Sequence, residues 1–264
     1  MVMNKGINQT PTFSFNNSFT LNGSTNTATK AITMANGTLI FNNAAINVNL
    51  TTGGSHFDIP GNSCLNILQG TARANGTSGI TLDGKLLISG GTLDMSGGDN
   101  PIEYSASGNA TISVTGGGLT IGGQVRRSPT SDVGVLKYAQ SGGTVVVGQN
   151  AATVNNRGVF EILNTGSSFT MSGGDLFIAR AQTSPEISAF YFNPATYSIG
   201  LAANINIGHS TTPAGQTMGI YAGKPLPKLR VNNTSTRNPI AKLDVIAATI
   251  TSQLLIDGGA TFNA

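Results

Sequence analysis

The stretch Leu86–Met95 reads LLISGGTLDM: a run that alternates apolar and polar residues, a Gly-Gly pair, and a second alternating run. Three later stretches repeat this layout, namely Ile112–Ile121, Tyr138–Val147 and Phe169–Ile178. Their Gly pairs begin at positions 90, 116, 142 and 173, so the steps between them are 26, 26 and 31 residues. A nearly fixed period of this size predicts that each copy is one coil in a stack of coils.

Superposing the four copies places sixteen alternating positions in four columns, and fifteen of the sixteen are apolar or aromatic. Because alternate side chains of a strand point to the same face, the columns are predicted to point into the coil. The Gly pair between them is predicted to form a sharp corner that needs a positive φ or has no room for a Cβ. The columns are Leu86, Ile112, Tyr138 and Phe169; Ile88, Val114, Gln140 and Met171; Leu93, Leu119, Val145 and Leu176; Met95, Ile121, Val147 and Ile178.

These columns favour a parallel β-helix over antiparallel hairpins, because hairpins have no reason to repeat at a constant length. The predicted fold is all-β: a single-stranded right-handed parallel β-helix (β-solenoid) of about 26 residues per coil, with its hand adopted from base rates. One such domain is predicted over residues 1–264. It comprises irregular N-terminal coils in 1–84, regular coils in 85–180, an irregular aromatic and proline-containing insertion or seam in 181–228, and further coils in 229–264.

The C-terminal stretch is predicted to follow the regular coils. Leu254 and Ile256 precede a Gly-Gly pair at 258–259, and Thr261 and Asn263 then fall in the two inward columns. The sequence stops within this coil without the polar or helical cap that solenoid ends normally need. We therefore expect the chain to be a segment of a longer protein.

The composition is poor in charge, with only 9% Asp, Glu, Lys and Arg against roughly 25% in ordinary soluble domains. A dense basic stripe is absent, which argues against nucleic-acid binding, and no apolar run is long enough to predict a membrane span. The single cysteine, Cys64, is expected to be a buried free thiol. Paired asparagines are predicted to form amide ladders along the turns: Asn16-Asn17, Asn42-Asn43, Asn155-Asn156 and Asn232-Asn233.

Two loops contain the residues best suited to acid or base chemistry. Asp99 and Glu103, in GGDNPIEY, could form the carboxylate pair that glycoside hydrolysis requires. Arg126, Arg127 and Asp132, in QVRRSPTSD, form the best candidate basic site. Ordinary solvated turns explain both groups as well, so no catalytic residue is assigned.

Metal and cofactor sites are not predicted. His56 and His209 lie outside any metal-spaced cluster and are interpreted as turn residues. The Gly pairs lie between two strands rather than before a helix, so they are corners and not phosphate-binding loops. A flat ice-binding ladder is also excluded, because the column beside the Gly pairs contains Thr92, Gly118, Thr144 and Asp175.

The candidate ligand-binding site is an aromatic cluster made of Phe190, Tyr191, Phe192 and Tyr197. Aromatic faces on a polar solenoid can stack against sugar rings. Alternation directs Phe190 and Phe192 to one face and Tyr191 to the other. The alternative is therefore that two of the four rings belong to the core.

Three motifs carry a resemblance to a known class of protein: ISGGTLDMSGG, MSGGDLFIAR and LPKLRVNNTSTRNPIAKLDVIAATITSQLLIDGG. They resemble repetitive β-helix segments of large secreted surface proteins of Bacteroidota-type bacteria, over Leu86–Arg180 and Leu226–Ala264. A fainter resemblance extends to autotransporter and haemagglutinin-like β-helices. The resemblance implies an adhesin, a stalk or a surface fibre that is exported, and it implies no catalytic residues.

The predicted function is that of a non-enzymatic structural or adhesive β-helix segment of a secreted or cell-surface bacterial protein. Its expected location is extracellular, with the leader absent from this chain. Cell-surface glycans and other copies of the chain, bound through open solenoid ends, are the expected partners. The alternatives are a carbohydrate-active β-helix, either a polysaccharide lyase or a hydrolase, with its groove near Asp99–Arg127, and a phage or viral fibre segment built from three chains.

Overall fold

The computed structural model describes residues 1–22, 30–51, 54–184, 186–244 and 246–264. Its strands form three parallel sheets, and each sheet contains one strand from successive coils. The chain is therefore a parallel β-solenoid of about nine turns with a spacing near 26 residues, as predicted. The right-handed sense stays a prediction. Within the described residues the only helical element is a single 3₁₀ turn, Thr234–Thr236.

The three sheets run the length of the stack, and their strands are numbered here in chain order. Sheet 1 contains β1 Val2–Asn4, β2 Thr12–Phe15, β4 Thr33–Phe41, β7 Ser63–Ile67, β10 Lys85–Ile88, β13 Thr111–Val114, β16 Lys137–Gln140, β19 Ser168–Met171 and β22 Thr196–Ile199. Sheet 2 contains β3 Thr20–Leu21, β5 Asn47–Thr51, β8 Thr71–Ala74, β11 Thr92–Met95, β14 Gly118–Ile121, β17 Thr144–Val147, β20 Gly174–Ile178, β23 Ala203–Ile207, β25 Leu226–Val231 and β27 Ile250–Ile256. Sheet 3 contains β6 Phe57–Ile59, β9 Ile80–Leu82, β12 Ile102–Tyr104, β15 Val125–Arg127, β18 Phe160–Ile162, β21 Phe190–Phe192, β24 Thr217–Ala222, β26 Ile240–Leu243 and β28 Thr261–Asn263.

The four predicted inward columns are confirmed by the strand register and by burial. Leu86 pairs with Ile112, which pairs with Tyr138, which pairs with Phe169. The columns on sheet 2 pair in the same way, and all sixteen side chains are buried. These columns form part of one apolar core that extends from Met3 to Ala241.

The one polar member of the columns, Gln140, is buried but fully hydrogen-bonded. Its Oε1 accepts a hydrogen bond from the Tyr138 hydroxyl at 2.6 Å. Its Nε2 donates to the carbonyl oxygens of Gly142, Gly143 and Asp175 at 3.2–3.3 Å. Because every polar atom of the amide has a partner, the core accepts this side chain without an unpaired group.

The Gly pairs form the corners between sheets 1 and 2. The second glycine adopts a positive φ at Gly117, Gly143 and Gly174, with values of 67°, 68° and 83°. A Cβ on Gly117 would lie only 2.0 Å from the carbonyl oxygen of Gly91, one coil below. The corner therefore needs glycine for both its conformation and its close approach to the neighbouring coil.

Each regular coil has a third strand that the two-strand pattern misses. Glu103 lies in β12 and Arg126 and Arg127 lie in β15, so these three residues are not in loops as the sequence suggested. The two strands pair in register, with Glu103 opposite Arg126. Sheet 3 strands are only three residues long in this part, too short for alternation to be recognised.

The number of sheets in the stack changes within residues 181–228. Sheet 1 ends at β22, and no later strand of the described chain pairs with it on that side. Sheets 2 and 3 continue through β23 to β28, so the later coils have two strands each. The stack therefore continues through this stretch while one of its three sheets stops.

The C-terminal coil differs from the prediction. Leu254 and Ile256 belong to sheet 2, where they pair with Leu229 and Val231. Their Gly-Gly pair at 258–259 therefore leads to sheet 3, a different corner from that of the regular coils. In β28 it is Phe262, and not Thr261 or Asn263, that packs against the core.

Side-chain amides link neighbouring coils, as predicted, but mostly through the main chain. Asn42 Nδ2 donates to Asn16 Oδ1 at 3.1 Å, which confirms one rung of an amide ladder. Asn156 and Asn232 instead donate to main-chain carbonyl oxygens 27 and 24 residues away. Cys64 is buried and free, as expected.

Candidate functional site

A network of charged side chains covers the outer face of sheet 3. Phe160 and Ile162 point into the core, so Glu161 between them points outward, yet it is fully buried. Its Oε1 accepts hydrogen bonds from the main-chain N–H and from Nε of Arg127, at 2.8 and 3.0 Å. Its Oε2 accepts one from the Gly158 N–H at 3.1 Å. The Glu161 carboxylate therefore accepts three hydrogen bonds from its own chain, two of them from Arg127.

Asp132 and Arg157 connect the loop that follows β15 to this group of charged side chains. The Asp132 carboxylate lies 2.8 Å from Nη1 of Arg157, and Nη1 of Arg127 donates to the Asp132 main-chain oxygen at 3.0 Å. Burial alone would lower the pKa of Arg127, but the hydrogen bond and the charge of Glu161 outweigh it and raise that pKa. Two of the three residues of the predicted basic site, Arg127 and Asp132, are thus bonded to each other, and Arg127 is also bonded to Glu161.

Arg126, the third residue of the predicted basic site, is paired with Glu103. The two are joined by a hydrogen-bonded ion pair of 2.7 Å between Nη1 and Oε2. Nη1 also donates to the Arg127 main-chain oxygen at 3.2 Å. Burial lowers the pKa of Arg126, and the Glu103 charge opposes that effect. Among the described residues, Nε and Nη2 of this guanidinium have no hydrogen-bond partner.

A cleft of about 360 Å³ opens beside Arg126, and we call it the Arg126 cleft. Its lining comes from the corners that precede sheet 3 and from β15. From His56 before β6 to Arg126 in β15 it spans three strand spacings, or about 14 Å. The lining residues used below are His56, Thr77, Asp99, Asn100, Pro101 and Arg126.

The cleft contains two of the residues that the sequence analysis selected for acid or base chemistry, and two that it did not place with them. Asp99 and Arg126 line the same groove, as the alternative hypothesis of a carbohydrate-active β-helix requires. Glu103 is connected to the cleft only through its ion pair with Arg126. His56 was interpreted only as a turn residue and Asn100 was not selected, because their proximity depends on how each coil turns its corner. The one usable signal is that both come just before a sheet 3 strand.

Both histidines are half-buried and lie in separate places. His56 Nδ1 lies 3.4 Å from the Thr81 hydroxyl, and burial lowers its pKa although the nearby Glu103 opposes this. His209 is held in a turn by Thr211 and Thr212, and burial lowers its pKa as well. In the described chain no three His, Cys, Asp or Glu residues come close enough together to hold a metal ion.

The aromatic cluster does not form a single surface, which corrects the predicted binding site. Phe190 and Phe192 are fully buried in the core, with ring centroids 5.5 Å apart. Tyr191 lies on the outer face of sheet 3, where its ring contacts Tyr221 at 4.5 Å. Tyr197 is 41% exposed at the last strand of sheet 1. Strand alternation separates the four rings, so a half-buried Tyr191 and an exposed Tyr197 remain, on different sheets.

Comparisons of the chain with protein-family models, with curated proteins and with solved structures give no match. The site must therefore be interpreted from its own geometry.

Across the described residues, the structure has no helix with the length and apolarity that crossing a membrane requires.

Proposed function

We propose that the chain is a non-enzymatic structural and adhesive segment of a secreted or cell-surface bacterial protein. The observation that supports this proposal is the pairing of the groups best suited to acid–base chemistry. Glu103 is paired with Arg126, Glu161 with Arg127, and Asp132 with Arg157. A catalytic acid or base must be able to gain or lose a proton against the substrate, and ion pairing opposes this.

The stack itself suits a load-bearing role. Three parallel ladders join successive regular coils, and one apolar core passes through them. Each coil is thus held to its neighbours by main-chain hydrogen bonds and by buried side chains. The single thiol is buried, so exposure to an oxidising exterior would leave it protected.

The second candidate function is polysaccharide cleavage in the Arg126 cleft. It is favoured by the presence of Asp99 and Arg126 in one groove. It is opposed by the state of Glu103, because glycoside hydrolysis requires two carboxylates and this one is held by a guanidinium. Among the described lining residues Asp99 has no second carboxylate beside it, although His56 lines the same cleft.

The deciding experiment exposes the purified chain to neutral and uronate-containing polysaccharides. New reducing ends and unsaturated products are measured over time, with an established lyase and an established hydrolase as positive controls. The proposal expects no product above a heat-unfolded sample of the same chain. Turnover that disappears when Asp99, Glu103, Arg126 and Arg127 are replaced together would establish the enzyme function instead.

Adhesion needs its own measurement. Beads coated with the folded chain should be retained on surfaces bearing bacterial or host-cell polysaccharides more than beads coated with an unrelated solenoid. Equal retention of the two kinds of bead would remove the adhesive part of the proposal and leave the structural part.

A further inference from the structure

We propose that the Arg126 cleft binds a neutral saccharide, and that the Nε–Nη2 edge of Arg126 donates hydrogen bonds to two adjacent hydroxyl oxygens. This inference deepens the proposed adhesive function by naming a ligand class and a site. It can fail while the structural role stands.

The first argument is the state of the Arg126 guanidinium. A guanidinium has five N–H donors in a rigid planar fork. Both donors of Nη1 are used by the Glu103 carboxylate and the Arg127 main-chain oxygen. The side chain is only 6% exposed, and Nε is fully buried without a partner among the described residues. Burying an unpaired donor is unfavourable, so a ligand that supplies its acceptor gains free energy.

The second argument is the shape of the unused edge. Nε–H and one Nη2–H point in nearly the same direction, so they match two acceptor oxygens that lie side by side. A carboxylate and a pair of vicinal hydroxyl groups both present such oxygens. The remaining lining residues decide between these two.

The third argument is the acceptor chemistry of the other residues that line the cleft. Asn100 is fully buried, and its Nδ2 donates to the main-chain oxygens of Ala74 and Met95 at 2.7 and 3.4 Å. This leaves Asn100 Oδ1 buried without a donor in the described chain. Asp99 adds an exposed carboxylate to the same lining. A hydroxyl group both accepts and donates, whereas a carboxylate could satisfy only the guanidinium.

The fourth argument is charge. The positive charge of Arg126 is already balanced by Glu103, and Asp99 contributes a negative charge at the rim. Burial favours the neutral form of His56, which also lines the cleft. An anionic sugar would therefore meet no net positive charge, while a neutral sugar avoids repulsion by Asp99. The volume of about 360 Å³ lies in the lower part of the roughly 300–1,000 Å³ range of small-molecule sites.

The test is a titration of the full chain with cellotetraose and mannotetraose, followed by calorimetry and by chemical-shift changes. Tetragalacturonate is the anionic comparison. Wild-type protein should bind at least one neutral tetrasaccharide more tightly than tetragalacturonate. Arg126→Lys keeps a positive charge for Glu103 but lacks the two-donor edge, so it should raise the Kd at least tenfold. Asp99→Asn should raise it by a smaller factor.

The matched control is Arg230→Lys, the same substitution in the Arg230–Asp257 ion pair of sheet 2. It should leave the Kd unchanged. Each variant is first checked for wild-type circular dichroism and thermal unfolding. If Arg126→Lys does not fold, Asp99→Asn and Thr77→Val test the same cleft from its rim.

Each outcome bears on one proposal or the other. No binding of either neutral sugar by folded wild-type protein would overturn the saccharide site and leave the structural function intact. Tighter binding of tetragalacturonate would overturn the neutral ligand class. Binding accompanied by cleavage of the sugar would support the site and overturn the non-enzymatic function.

Discussion

Glu161 and Arg127 are joined twice, because one carboxylate oxygen accepts both the main-chain N–H and Nε of the arginine, at 2.8 and 3.0 Å. Glu161→Ala would leave Arg127 and Arg157 buried without this counter-charge. Breaking a buried ion pair from one side costs about 3–5 kcal/mol, and we expect a loss of unfolding free energy of that size in urea denaturation.

The exposed end of the same network provides the control. The Asp132 side chain is 79% exposed, and Asp132→Asn should change the unfolding free energy by no more than about 1 kcal/mol. Equal losses for Glu161→Ala and Asp132→Asn would mean that the network acts through its loop rather than through the buried carboxylate.

Gly117 provides a test of the corner geometry. Gly117→Ala introduces a side chain at a φ of 67° and a Cβ 2.0 Å from the Gly91 carbonyl oxygen. Gly108 has a φ of 75° but no atom within 4 Å of its would-be Cβ. Gly108→Ala therefore measures the conformational strain alone, about 1–2 kcal/mol. We expect Gly117→Ala to lower the melting temperature clearly more, and equal effects would contradict the close packing of the corner.

The buried amide of Gln140 should be coupled to its neighbour. Gln140→Leu removes the acceptor of the Tyr138 hydroxyl, and leaving that group unpaired costs about 1–3 kcal/mol. The double variant with Tyr138→Phe should recover part of the loss, because no buried hydroxyl is then unpaired. A double-mutant cycle in urea measures this coupling, and strictly additive losses would rule it out.

The two histidines predict how stability depends on pH. Burial lowers the pKa of both His56 and His209 in the folded state, whereas in the unfolded chain each titrates near about 6.5. Between that value and the lower folded pKa the unfolded state binds more protons, so stability falls as the pH falls through this window. Thermal unfolding between about pH 8 and pH 5 measures the slope. His56→Gln with His209→Gln should flatten it, and an unchanged slope would assign the acid sensitivity to other groups.

The inward-facing core residues can be predicted from the sequence because each column depends only on residues that are close together in the chain. Each column position is fixed by its distance from a Gly pair, so Leu86 and Phe169 can be aligned without knowledge of the rest of the chain. The strands of sheet 3 cannot be recognised from the sequence in this way. Its strands are short, and the segments that precede them vary in length, so β15 was interpreted as part of a loop.

The candidate cleft was predicted only in part for the same reason. Asp99 and Arg126 were noticed for their charge, and they do share a groove. Asn100 carries no such signal, because its importance comes from an unpaired oxygen that only the packed corner reveals. For the aromatic cluster the sequence predicted two core rings as the alternative to a binding site, and the structure has that alternative, because alternation turns Phe190 and Phe192 inward.

Sheet 1 ends at β22, so the number of sheets in the solenoid falls from three to two at this strand. The regular coils before it are joined by three ladders of strands, and the described coils after it by two, although a late coil such as that between Val231 and Ile256 still uses 25 residues. Fewer main-chain bonds then join each late coil to the next, and more of its length lies in connecting loops. We expect bending and amide hydrogen exchange to be greater in the coils after β22. The solenoid should therefore be stiffer before that strand than after it.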